Sequence, residues 1–70
     1  MGGIGMIKDY FYRIDLKNPE TQHGINGGKI TYLQIRRRDK GIYLYDKVLV
    51  FDDLDADGEE IYSSLLKMYN

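Results

Sequence analysis

Hydrophobic and polar positions alternate from residue 10 to 16. Tyr10, Tyr12, Ile14 and Leu16 fall on one side, Phe11, Arg13 and Asp15 on the other. A period of two over seven residues predicts a strand. The Asn18-Pro19 pair ends it, because proline has no amide to donate and biases its predecessor away from helix. Residues 17 to 28 read as a loop whose Asn26-Gly27-Gly28 tip tolerates positive φ. A second strand is expected over residues 29 to 38, with Thr31, Leu33 and Ile35 opposite Ile30, Tyr32 and Gln34. Asp39-Lys40-Gly41 signals a tight turn, which folds a third strand, residues 42 to 51, back antiparallel. Asp52 to Gly58 breaks that strand. A helix follows, with Asp57 as expected N-cap and Glu60 three residues on, as in a capping box. Glu59 and Glu60 suit the positive end of its dipole, and Lys67 suits the last turn. Ile61, Leu65 and Met68 with Tyr62, Leu66 and Tyr69 make its apolar stripe. The expected fold is α+β: one domain over residues 1 to 70, a three-stranded antiparallel meander with a single C-terminal helix on one face. Residues 1 to 5, rich in glycine, are expected to be flexible and outside it.

Composition sharpens this picture. Seventy residues is close to the lower limit for a self-sufficient core. With no cysteine there are no disulfides or thiolate metal sites, and the single His23 cannot form an imidazole cluster for zinc. The longest apolar run, Val48 to Phe51, is far short of a membrane span, and no signal peptide is visible. The expected location is the cytoplasm of a bacterial host. Up to Phe51 the chain carries nine Lys and Arg against five Asp and Glu, and beyond it one Lys against six acids. A nucleic-acid binder normally has an overall basic balance, whereas this chain has a net charge of −1 with the signs segregated.

Four features invite a chemical reading. Asp53-Leu54-Asp55-Ala56-Asp57-Gly58 matches the first half of a calcium loop, in which alternating carboxylates wrap a hard cation. Its twelfth position is Ser64 where a bidentate glutamate is needed, so Asp53, Asp55 and Asp57 are a weak calcium candidate beside the simpler reading of a solvated acidic turn. Gly24 to Thr31 resembles a phosphate-binding loop only superficially, since it is one residue short and enters a strand instead of a helix. Arg36, Arg37, Arg38 and Lys40 form a basic hairpin tip suited to phosphate or an acidic protein surface. Strand alternation prevents the three arginines from pointing one way, and Arg37, on the Leu33/Ile35 side, is expected over the helix or against the acidic turn. Seven tyrosines, five of them on expected strands, predict an aromatic, partly exposed sheet face suited to a homodimer or a partner. No nucleophile–base pair is evident and no cofactor is implied, so the chain does not read as an enzyme.

The segment Gly24-Ile25-Asn26-Gly27-Gly28-Lys29-Ile30-Thr31-Tyr32-Leu33-Gln34-Ile35-Arg36 resembles a group of small proteins from Firmicutes phages and mobile elements. Their pattern is close to G-I-N-x-G-[RK]-[IV]-S-x-L-x-I-R, followed by a Tyr-Asp-Arg-like segment, an acidic stretch and a closing helix. Here Tyr45-Asp46-Lys47 stands in the second place. The resemblance implies an accessory protein of a mobile element and assigns no activity. The functional expectation is a non-enzymatic binder of a host protein, in its most concrete form an anti-CRISPR-like inhibitor. Its acidic edge, Asp52, Asp53, Asp55, Asp57, Glu59 and Glu60, would imitate a phosphate backbone. The alternatives are a nucleic-acid binder using the arginine tip with stacking tyrosines, and an oligomer that sequesters a small anion.

Overall fold

A computed structural model describes residues 2–17 and 24–70. Asn18-Pro19, expected to end the first strand, and His23 lie outside the described residues. The chain is α+β, as its patterning predicts, with one C-terminal helix on an antiparallel sheet. The sheet has five strands, not three, in the meander order β1 (Gly2–Ile7), β2 (Tyr10–Leu16), β3 (Ile30–Arg37), β4 (Lys40–Asp46) and β5 (Leu49–Asp52). The helix, α1, spans Ala56–Tyr69.

Two departures account for the extra strands. Residues 2 to 5 belong to β1, which pairs with β2 from Gly2↔Asp15 to Ile7↔Tyr10. Three of the six β1 residues are glycines, which lack the side chains that would betray a period of two. The expected third strand, residues 42 to 51, is cut at Lys47-Val48, where the chain reverses from β4 into β5. The preceding turn is also displaced: it falls at Arg38-Asp39, and Lys40 and Gly41 already belong to β4. Among the described residues the hairpin turns at Lys8-Asp9, Arg38-Asp39 and Lys47-Val48 each hold a cationic residue at positive φ: 56° at Lys8, 57° at Arg38 and 63° at Lys47. Side-chain-bearing residues are disfavoured there by roughly 1–2 kcal/mol, so turn propensity displaced the β3–β4 turn by one residue and did not show the other two.

The helix covers one face of the sheet. Ile14, Ile30, Leu33, Ile35 and Leu65 are fully buried between the two layers, joined by Tyr10, Ile25, Ile42, Tyr43 and Ile61. A register shift beside Leu16 lets Ile30 face the core, against the strict alternation that set it opposite Leu33. Tyr43 and Tyr62 pack with ring centroids 5.0 Å apart at 52°, tying β4 to the helix. The N-cap is Asp55, not Asp57: its carboxylate accepts the Gly58 amide at 2.7 Å, which places Asp57 inside the first turn and dissolves the expected capping box with Glu60.

The Gly24–Gly28 segment closes the far end of the core. Ile25 is buried within a short 3-10 turn, Ile25–Gly27, with Asn26 at φ 54° and Gly27 at φ 73°. Gly24 lies so close to the Gly28 carbonyl that any Cβ would collide with it, and a Cβ on Gly28 would strike the Asn70 side chain. Asn70 clamps the turn to β3: its Nδ2 donates to the Ile25 carbonyl at 2.9 Å and its Oδ1 accepts the Ile30 amide at 3.2 Å.

Candidate interaction surfaces

The basic tip and the acidic edge meet in space. The β1–β2 and β3–β4 turns emerge at the sheet end where α1 begins. A cleft of about 440 Å³ lies between the β3–β4 turn and the segment entering the helix, lined by Arg37, Arg38, Lys40, Asp53, Leu54 and Asp55 among others. Three ion pairs span this end: Arg37 Nη1 to Asp55 Oδ2 at 3.5 Å, Lys40 Nζ to Asp53 Oδ2 at 3.9 Å, and Lys8 Nζ to Glu60 Oε2 at 3.6 Å. Each is exposed and contributes little alone. Two of them bridge the cleft, and Lys8–Glu60 lies outside it.

Asp55 organises the cleft. The Tyr10 hydroxyl donates to both its oxygens, at 2.9 and 2.7 Å, beside the Gly58 amide and the Arg37 guanidinium. These donors hold the Asp55 carboxyl below the usual aspartate range, the Tyr10 hydrogen bond contributing most. The same bond raises Tyr10 above the ordinary phenol value. Arg37 also lies over the Tyr10 ring, its Cζ 5.8 Å from the centroid. Arg37 thus pairs with the acidic turn, one of the two placements expected for it. Among the described residues, no group of three acidic or imidazole side chains is arranged to hold a metal ion. Asp55 is engaged by its donors and Asp53 faces Lys40, so Asp53, Asp55 and Asp57 do not converge on a common centre.

The three arginines separate as alternation requires. Arg36 faces the uncovered side of the sheet beside Phe11, Arg37 faces the helix side, and Arg38 occupies the turn. Of the acidic edge, Asp52, Asp57 and Glu59 are exposed and form no ion pair among the described residues; Asp52 accepts the Leu54 amide at 3.3 Å.

The uncovered face is less tyrosine-rich than expected. Tyr10, Tyr12, Tyr43 and Tyr45 all pack on the core side, where the helix contributes Tyr62 and Tyr69. Among the strand tyrosines only Tyr32 falls in the opposite register, in line with Asp15 and Asp46. The open face instead carries Ile4, Met6, Phe11, Leu44 and Phe51 around Arg13, Gln34 and Arg36. Ile4 is 78% exposed, Met6 61%, Phe11 48% and Phe51 41%. A shallow depression of about 250 Å³ lies among Ile4, Phe11, Arg13, Gln34 and Arg36. The alternation around Phe11 already marked this face. The part played by Ile4 and Met6 was hidden because β1 carried no strand signal.

No known protein family, no curated protein and no solved structure matches this chain. Among the described residues, no helix is long and apolar enough to cross a membrane.

Proposed function

We propose that this chain is a non-enzymatic module that binds another protein through the open face of its sheet. One observation carries the reading: Ile4, Met6, Phe11 and Phe51 are exposed together on the side that the helix leaves uncovered. Ile4, Met6 and Phe11 adjoin across β1 and β2, and grouped apolar exposure on a small domain marks an interaction surface. Arg13 and Arg36 among these residues favour a partner that offers carboxylates beside apolar side chains. The resemblance at Gly24–Arg36 would place such a binder among the accessory proteins of a phage or mobile element, acting in the bacterial cytoplasm.

The test is capture of partners by the tagged chain from a nuclease-treated bacterial lysate, with the variant Phe11→Glu/Phe51→Glu in parallel. Both positions are exposed, so the variant is expected to fold as the parent does and to lose the partner. Retention of the partner by that variant would overturn the reading. A signal that disappears with nuclease or collapses as salt is raised would point to nucleic acid on the same face.

A second reading, an inhibitor whose acidic edge imitates phosphate, is favoured by the outward-facing Asp52 at the end of β5 and Asp57 and Glu59 in the first turn of the helix. The ion pairs at Asp53, Asp55 and Glu60 weaken it by cancelling half of the charges such an edge would present. Charge reversal at Asp52, Asp57 and Glu59 should abolish partner binding on this reading and leave it intact on the first.

A further inference from the structure

The two edges of the sheet are guarded differently. Edge strands present unpaired backbone groups, and native proteins blunt them with charge, proline, bulges or shortness. β5 has three of these devices: it spans four residues, its register shifts opposite Leu44/Tyr45, and Lys47 and Asp52 bracket its apolar residues. β1 has none. Its six residues, Gly-Gly-Ile-Gly-Met-Ile, contain no charge and no proline, and its pairing with β2 runs unbroken from end to end.

From this asymmetry we infer that β1 pairs antiparallel with β1 of a second copy, joining two sheets into one of ten strands. It shares Ile4 and Met6 with the open face proposed above, but self-association of the purified chain tests it apart from capture of another protein. A two-fold axis perpendicular to the sheet preserves its faces, so opposed residues must share a face and the axis must pass through a residue. With the axis at Gly5, Ile4 lies opposite the partner's Met6 and Met6 opposite the partner's Ile4. The four most exposed side chains of the two edges then close on one another, flanked by both copies of Phe11.

On the helix side the same register sets Ile7 against the partner's Gly3. A Cβ added at Gly3 would meet nothing within 4 Å, so there is room above that glycine for the incoming side chain. An axis at Ile4 would instead oppose glycine to glycine and leave Met6 against Gly2, burying less. No charged residue lies in β1, so nothing repels across the axis. Pairing also satisfies edge amides and carbonyls that water otherwise serves.

The interface is small. Six residues at about 3.4 Å give an edge about 20 Å long, and an association burying less than about 1,200 Å² in total belongs to the weak class. The expected dissociation constant is therefore micromolar.

Sedimentation of the full chain from about 5 to about 500 μM tests this. The parent should pass from monomer to dimer across that range. Ile4→Lys/Met6→Lys should stay monomeric, its dissociation constant raised at least about 30-fold, since edge lysines oppose pairing. The circular dichroism of this exposed double variant should match that of the parent monomer. Phe51→Lys, on the opposite edge, should dimerise as the parent does. Because the chain has no cysteine, mixing Ile4→Cys with Met6→Cys chains under oxidation reads the register: the mixed disulfide should outrun either homodimer. A parent that remains monomeric throughout would overturn the inference. So would a dimer that survives the two lysines, one abolished by Phe51→Lys, or preferential Ile4→Cys homodimers.

Discussion

At the scale of single residues, Asp55 shows how a local preference is settled by distant partners. Three aspartates in five positions, Asp53, Asp55 and Asp57, can each cap a helix by propensity alone. The choice falls on Asp55 because Tyr10, forty-five positions earlier in the chain, donates to both of its oxygens. This assignment has a pH signature. The folded-state pKa of Asp55 lies below the ordinary 3.8, so the stability it confers is present above that value and is lost as pH falls through the lower, folded one. Asp55→Asn can still cap but cannot titrate. It should therefore lower the melting temperature at pH 7 and flatten the acid-side decline, measured by thermal melts from about pH 2 to about pH 7. An unchanged acid slope would show that Asp55 is not held by these donors. The tyrosines have the opposite sign. Tyr12 is raised by its hydrogen bond with Tyr69 and Tyr43 by burial, so their contribution is present below pH 10 and is lost as pH rises through their higher folded values.

At the scale of elements, the segment with the most distinctive sequence turns out to be architectural. In Gly24-Ile25-Asn26-Gly27-Gly28, two glycines permit close approaches, Ile25 plugs the core, and Asn26 and Gly27 supply positive φ. Asn70 holds the turn from the far end of the chain. Asn70→Ala takes the side-chain acceptor from the Ile30 amide and leaves the Ile25 carbonyl with the Gly28 amide alone, and should cost about 1–3 kcal/mol in urea denaturation. Faster hydrogen exchange should be confined to Ile30 and the turn, and a global loss of protection would mean the clamp does more than close this end. The same elements show what sequence reading reaches. β2, β3 and α1 were legible because their apolar residues keep a period. β1 was not, because glycine has no side chain to report one, and the β4–β5 reversal was not, because Lys47 adopts a turn conformation ordinarily left to glycine or asparagine. The two charged clusters of the cleft were each visible in the sequence, and Arg37 against the acidic turn was one of the placements expected; the Lys40–Asp53 and Lys8–Glu60 pairs were not, since they depend on which sheet end receives the helix.

At the scale of the whole molecule, everything rests on one thin core. A single helix on a five-stranded sheet without a disulfide rarely exceeds about 3–5 kcal/mol of stability. Leu65 is fully buried at its centre, among Ile14, Ile30, Leu33 and Ile35. Truncating a buried leucine removes its transfer free energy and leaves a cavity, which costs about 2–5 kcal/mol. That is comparable to the total, so Leu65→Ala should be largely unfolded at 25 °C by far-UV circular dichroism. Met68→Ala, on the exposed side of the same helix, should change stability by no more than about 0.5 kcal/mol. Any partner or second copy that binds only the folded chain raises its apparent stability with concentration. The parent's urea midpoint should accordingly rise with protein concentration, and that of Ile4→Lys/Met6→Lys should not. A Leu65→Ala chain that stayed folded at low micromolar concentration, where pairing is absent, would mean that the core between sheet and helix is stronger than its size allows.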